Sequence, residues 1–264
     1  ELVVRGASAT PYVQQTIVHE LVHAIDDQHF ELFRPDYDDR DDELGTAFSA
    51  VVEGNARRVE SDWLDEQPAD VQDQASAEEE AFGAGLDFDG FPPILLFSLG
   101  APYQFGEIFV DDIVGESGER AVNEALRTPP ETSEQFLYPD VYRADEAAID
   151  VPVPDADGDV VDQGAVGALF LYGMLTDPIA GVNPSDAARA IDGWGGDQYV
   201  TWRTEDDLNC VRADFVGDSA NDTDELRFAL EAWVDTGGLG SVSEVDGRVR
   251  LESCAAGGGG SRNV

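Results

Sequence analysis

The 264-residue chain contains no lysine; all 15 of its basic residues are arginine. Methionine occurs once, cysteine twice and histidine three times. Acids dominate instead: 56 Asp and Glu residues set the formal net charge at −41. Such a surface repels a phosphate backbone, which argues against nucleic acid as a partner. No block of like charge stands out, because the acids are spread along the whole length, and this argues against a tail for a basic partner. The hydrophobic fraction of 42%, with 13 Phe and 4 Trp, leaves ample material for a core, so the acidity does not imply disorder. At molar salt the Debye length falls to about 3 Å and self-repulsion nearly vanishes. The composition is that of a salt-adapted surface, as in an extreme halophile.

The two cysteines, Cys210 and Cys254, lie in apparent β segments far from the histidines, so a structural disulfide is expected rather than a metal pair. No uninterrupted apolar run is long enough to cross a bilayer. The nearest, Phe91 to Phe109, is broken by Pro92, Pro93, Gly100 and Pro102. The chain opens at Glu1 rather than methionine, so an upstream segment such as a signal peptide or lipid anchor is expected to have been removed. With the disulfide, this suggests an extracellular or cell-surface location. There is no internal repeat.

Periodicity and punctuation predict an α+β chain, mainly helical, with β-hairpins toward the C-terminus. Residues 1–150 are expected to form a metal-binding region, 151–256 a C-terminal helical and hairpin subdomain, and 257–264 a flexible tail. Leu2 to Val4 reads as a strand end. Thr10 and Pro11 open a helix running to about His29. Arg34 to Asp42 reads as an acidic loop, and Glu43 to Glu66 as a second helix. Pro68 to Asp87 is another helix or a connection. Gly90 to Gly115 reads as two short helical pieces around a turn at Pro102 and Tyr103. Glu119 to Leu126 is helical, and Val151 to Asp162 is a Pro/Asp/Gly loop. Helices follow at Ala165 to Thr176, Pro184 to Ile191 and Asp224 to Thr236. Hairpins are expected at 198–216 and at Val242 to Glu252, the latter around Asp246-Gly247.

All three histidines fall within eleven consecutive positions, from His19 to His29, in a stretch that contains His19-Glu20-Leu21-Val22-His23. Histidines four apart share one helical face, so both imidazoles can reach one metal ion. Glu20 between them can take a proton from an activated water. A catalytic zinc needs a third protein ligand and an open position. One candidate is His29, at metzincin spacing, but that spacing needs a sharp turn where this chain has Asp26. If the helix continues, His29 projects about 120° away from His23. The other is Glu53 in Val52-Glu53-Gly54-Asn55-Ala56, on the second helix, where Gly54 and Ala56 would let helices approach closely. Glu53 is favoured because it sits beside Val51 and Val52 on the apolar side. Asp26 or Asp27 could orient a histidine ring.

Several stretches together resemble a family of haloarchaeal and bacterial surface-associated proteins with a zincin-like signature of gluzincin type. The resemblance rests on Val18-His19-Glu20-Leu21-Val22-His23-Ala24, Asp27-Gln28-His29-Phe30, the Glu53-Gly54 segment, 129–139 around Ser133-Glu134-Gln135-Phe136-Leu137-Tyr138-Pro139, and Gly193-Trp194-Gly195-Gly196-Asp197. It implies a metallopeptidase with one zinc held by His19, His23 and Glu53, and a peptide or protein as substrate. Relatives tend to carry histidine where Tyr138 stands and arginine where Gln198 stands. Tyr138 could replace that histidine as an oxyanion donor, with Tyr142 and Arg143 as alternatives.

Weaker signals are assigned blander roles. Asp155-Ala156-Asp157-Gly158-Asp159 resembles part of a calcium loop but lacks the twelfth-position glutamate, so a solvated loop is expected rather than calcium. Asn221-Asp222-Thr223 matches a glycosylation acceptor, and Asp222 or Thr223 also reads as a helix cap. Gly193 to Asp197 reads as a tight turn, from which an exposed Trp194 could line a cleft. Two other functional classes remain beside the peptidase: a non-catalytic zincin-like surface protein, and an envelope binding module in which the histidines merely pack.

Overall fold

The structure, a computed structural model, describes residues 8–40, 42–178 and 181–256. The expected strand at 2–4 and the tail at 257–264 lie outside the described residues. The chain is α+β and divides into two compact units. The first comprises the chain up to Arg40 together with Leu44–Glu131; the second comprises Asp41–Glu43 and everything from Thr132.

Among the described residues the first unit is helical throughout. It contains α1 (Pro11–Phe30), α2 (Pro35–Arg40), most of α3 (Asp42–Asp65), α4 (Ala69–Ala84), α5 (Pro93–Ser117) and α6 (Arg120–Arg127). Helix α1 starts at Pro11, whose missing N–H costs nothing at a first position. Its N-terminus is closed from α4: the Glu78 carboxylate accepts the Tyr12 N–H at 3.1 Å, placing negative charge at the positive end of the helix dipole. At the other end Glu31 turns left-handed (φ 55°), and Asp27 accepts the Glu31 and Leu32 N–H groups through its carbonyl and carboxylate.

Helix α5 corrects the expectation of two pieces around a turn. It runs unbroken through Pro102. Proline removes one helical hydrogen bond, but Ala101, Pro102, Gly106, Phe109, Val110 and Ile113 are all buried along this helix, and that packing outweighs the loss. By length and composition α5 is long and apolar enough to cross a membrane, so the interruption read from the sequence does not hold. The close helix approach expected at Gly54 occurs with α5. A Cβ at Gly54 would lie 2.2 Å from the Gly106 backbone, and one at Gly106 would lie 2.0 Å from the Ala50 carbonyl oxygen. Only glycine fits at either position. The acidic loop expected at Arg34 to Asp42 instead contains α2, whose Tyr37 packs edge-on against Phe48 while Arg34 sits over the Phe48 ring.

The second unit holds the short helices α7 (Ser133–Leu137) and α8 (Pro139–Arg143), then β1 (Asp159–Gly164), α9 (Gly167–Leu175), α10 (Pro184–Ile191), β2 (Trp194–Arg203), β3 (Leu208–Gly217), α11 (Ala220–Asp235), β4 (Ser241–Val245) and β5 (Arg248–Ala256). The five strands form one antiparallel sheet in the order β1-β2-β3-β5-β4. Alternate residues Ala213 and Phe215 of β3 and Val249 and Leu251 of β5 pack against Leu171, Leu175, Leu226 and Leu230 of the helices. On the opposite face Cys210 and Cys254, direct cross-strand partners, form the expected disulfide. That face also carries Arg250 paired with Asp214 and Arg212 paired with Glu252. Strand β1, which pairs with β2, begins inside the stretch read as a loop and runs two residues past it; all but its last residue are exposed, so it carries no apolar alternation to mark it. The cap of α11 is Ser219 rather than Asp222 or Thr223, although Asp222 completes the capping box.

Candidate metal centre

Helices α1 and α3 run side by side in the first unit, linked by a ladder of polar contacts. Gln15 Nε2 donates to Glu60 (3.3 Å), His19 meets Glu53 and Glu60, His23 meets Glu53, and Asn55 Nδ2 donates to Asp26 (2.7 Å). At the centre three donor atoms converge. His19 Nε2 lies 2.9 Å from His23 Nε2 and 3.1 Å from Glu53 Oε2, and His23 Nε2 lies 3.3 Å from the same oxygen. Zinc ligands at about 2.0–2.1 Å in a tetrahedron would be separated by roughly 3.3 Å. The spacing and the chemistry of the set, two imidazoles and one carboxylate, both suit zinc.

The outer contacts explain how the rings are held. His19 is 7% exposed, and its Nδ1 lies 3.0 Å from Glu60 Oε2, though off a good hydrogen-bond line. Tyr103 of α5 stacks on the His19 ring, with centroids 6.0 Å apart and planes at 20°, where burial and the nearby Glu53 carboxylate raise the pKa of its hydroxyl. Glu60 and Tyr103 are the residues that the sequence reading missed. Glu60 had a usable signal: seven residues after Glu53, it lies within about 20° of the same helical face. Tyr103 had none, because its approach depends on the Gly54–Gly106 crossing.

Burial pulls the His19 pKa down, but the adjacent Glu53 and Glu60 carboxylates outweigh it and hold the imidazole at about 9. Burial pushes Glu53 up, and hydrogen bonds from His19 and His23 reverse this and bring it to about 2. The pair therefore stabilises the metal-free fold in full between the unfolded carboxylate and imidazole values. That contribution is lost as pH rises through about 9 on the His19 side, or falls through about 2 on the Glu53 side. A metal must displace the His19 proton. Zinc affinity is expected to rise about tenfold per pH unit between pH 7 and 8.5, with close to one proton released per ion. Calorimetry in buffers of different ionisation enthalpy measures this, and a pH-independent affinity would contradict it.

The other expected site residues are placed as follows. Glu20 is exposed, one residue from His19, and lines a cleft of about 280 Å³ with His19, Tyr103 and Glu60. His29 is exposed in the last turn of α1, which continues past Asp26 without a turn, and it is not among the converging atoms. Asp26 is bound by Asn55, while Asp27 serves the helix end. Tyr138 belongs to the second unit, where its hydroxyl donates to the Ala188 carbonyl at 3.0 Å and burial raises its pKa. Tyr142 and Arg143 also belong to that unit, and Arg143 pairs with Asp140.

The remaining motifs build the second unit. Trp194 is 2% exposed, which overturns its reading as an exposed cleft residue. Its indole N–H and the N–H groups of Val166 and Gly167 all donate to the buried Asp197 carboxylate, so Gly193 to Asp197 locks the start of α9 to β2. Ser133 donates its N–H and hydroxyl to Glu43, both at 2.7 Å, and accepts from Leu169 N–H. Gln198 faces Asp214, whose carboxylate Arg250 already holds. The 155–159 loop is held by a guanidinium: Arg212 donates to the Asp155 carbonyl and, at 2.6 Å, to the Asp157 carboxylate.

Residues 154–258 match a family described as a domain of unknown function, DUF8575. The match lies within the second unit and contains none of His19, Glu20, His23 and Glu53. Among curated proteins and solved structures, none matches the chain.

Proposed function

We propose that this chain is a zinc-dependent peptidase of gluzincin type, working in high salt outside the cell or at its surface. The observation that carries the reading is the convergence of His19 Nε2, His23 Nε2 and Glu53 Oε2 on two adjacent helices, with Glu20 on the neighbouring cleft. His19, His23 and Glu53 would hold the ion. Zinc at such a site polarises a carbonyl and brings a bound water to a pKa near 7. Glu20 accepts the proton of the attacking water and returns it to the leaving amine. Glu60, 3.0 Å from His19 Nδ1, stands where it can steady that ring, and Tyr103 covers it. The net charge of −41 supports the salt-adapted setting and the Cys210–Cys254 disulfide an oxidising one.

Hydrolysis of a mixed peptide substrate in molar salt tests the reading. Activity should disappear on chelation and return with zinc; activity indifferent to chelation, or none in the zinc-loaded protein, would defeat it. A second reading, a zinc-binding scaffold without catalysis, has one observation in its favour. The guanidinium that lines the cleft is already engaged with carboxylates: Arg57 pairs with Glu60 and Glu107.

A further inference from the structure

The cleft beside the converging histidines has an unequal supply of hydrogen-bonding groups. Two of its donors are taken: Arg57 pairs with Glu60 and Glu107, and the Thr16 hydroxyl donates to the Tyr12 carbonyl at 3.0 Å, which leaves the Tyr12 and Tyr103 hydroxyls beside them. Its acceptors are in excess. Among the described residues no ion pair holds Glu20 or Glu79, which both line it. Gln15 lines it too, is 5% exposed, and has its amide nitrogen on Glu60 while its Oε1 meets no donor. Reversing that amide would set oxygen against the Glu60 carboxylate, so the orientation is chemically determined. A buried carbonyl oxygen without a protein donor is costly unless water or a ligand satisfies it. The cleft adjoins a hollow of about 540 Å³ that shares Arg57, Glu79 and Tyr103 and adds Glu107 and Asp111, so the acidic lining continues away from the histidines.

We infer that this cleft receives a protonated primary amine of the substrate, with Gln15 Oε1 and the Glu79 carboxylate as its acceptors. An ammonium carries three donors and no acceptor, which matches a pocket where Gln15 Oε1 and the carboxylates of Glu20 and Glu79 exceed the hydroxyl donors beside them. The amine can come from the α-amino terminus of a peptide or from a lysine side chain. The inference rests on the peptidase reading and makes its substrate class specific: peptides with an ammonium close to the bond that is cut.

Binding measures this apart from catalysis. The zinc-loaded Glu20→Gln protein is titrated in molar salt, where bulk attraction to a highly acidic surface is screened. Three hexapeptides of otherwise equal sequence are compared: one with a free amino terminus and norleucine, one acetylated with lysine, and one acetylated with norleucine. At least one amine-bearing peptide should bind about tenfold more tightly than the neutral one. Adding Glu79→Gln or Gln15→Met should bring the two within about threefold. A preference confined to the free terminus assigns the pocket to the α-amine, and one confined to lysine assigns it to the side chain. Equal binding of all three peptides, no binding of any, or a preference that survives both substitutions overturns the inference. Hydrolysis of the same peptides by the unsubstituted protein is scored separately. Its absence would defeat the peptidase reading, while hydrolysis without charge preference in binding would defeat only the amine pocket.

Discussion

Glu53→Ala is expected to leave the protein without stoichiometric zinc after dialysis, where the unsubstituted chain retains one ion. Substituting a group that only orients a ligand costs about 10–100-fold in metal affinity. Loss of a direct ligand should cost more than 100-fold, because two imidazoles cannot complete the donor set of a catalytic zinc. The fold should survive, since the Glu53 side chain is 19% exposed and its loss opens no apolar cavity. The His19 imidazole should drop from about 9, because one of the two carboxylates that raise it is gone. Metal analysis with far-UV circular dichroism measures both consequences. His29→Ala is the matched control and should keep its zinc, as that ring lies at the exposed end of α1. Full occupancy in Glu53→Ala, or loss of zinc in His29→Ala, would move the third ligand elsewhere.

Glu20→Gln should give the opposite pattern, with zinc retained and hydrolysis lost. The amide keeps the size of the carboxylate but cannot accept a proton in the water-activation step. General-base catalysis contributes about 10²–10⁴-fold, so turnover should fall by that factor, about 3–5 kcal/mol in the barrier. Because Glu20 is exposed and is not among the converging atoms, neither metal content nor thermal stability should change appreciably. Hydrolysis within tenfold of the original would remove Glu20 from the mechanism. Unchanged zinc with undetectable hydrolysis in both proteins would favour the scaffold reading over the peptidase.

Much of the second unit was legible because its signals are local. The apolar run from Gly167 to Leu175, the Asp246-Gly247 turn and the alternation along β3 each announce an element within a few residues. Strand β1 was invisible because it is an exposed edge strand held by backbone pairing to β2. Trp194 was misjudged for a related reason. A glycine-rich, polar stretch reads as a turn, and only the buried Asp197 carboxylate, gathering three N–H groups from two elements, explains why it is interior. Pro102 misled in the other direction. A proline weakens a helix by a local amount, and the buried residues along the rest of α5 outweigh it.

By itself the sequence determined the shared face of His19 and His23 on α1, since histidines four apart on a helix must lie on one side. It also determined the acidic composition and the disulfide, and it favoured Glu53 over His29 as their partner from a second helix. Only the tertiary structure decided what surrounds those donors. The contact of Gly54 with Gly106 brings α5 against α3 and so lays Tyr103 over the His19 ring, and the pairing of α1 with α3 sets Glu60 behind that ring. The physical reason is range. Helical periodicity is written over four residues, whereas the Gly54–Gly106 contact joins backbones fifty-two positions apart, and no local propensity encodes which helices will meet.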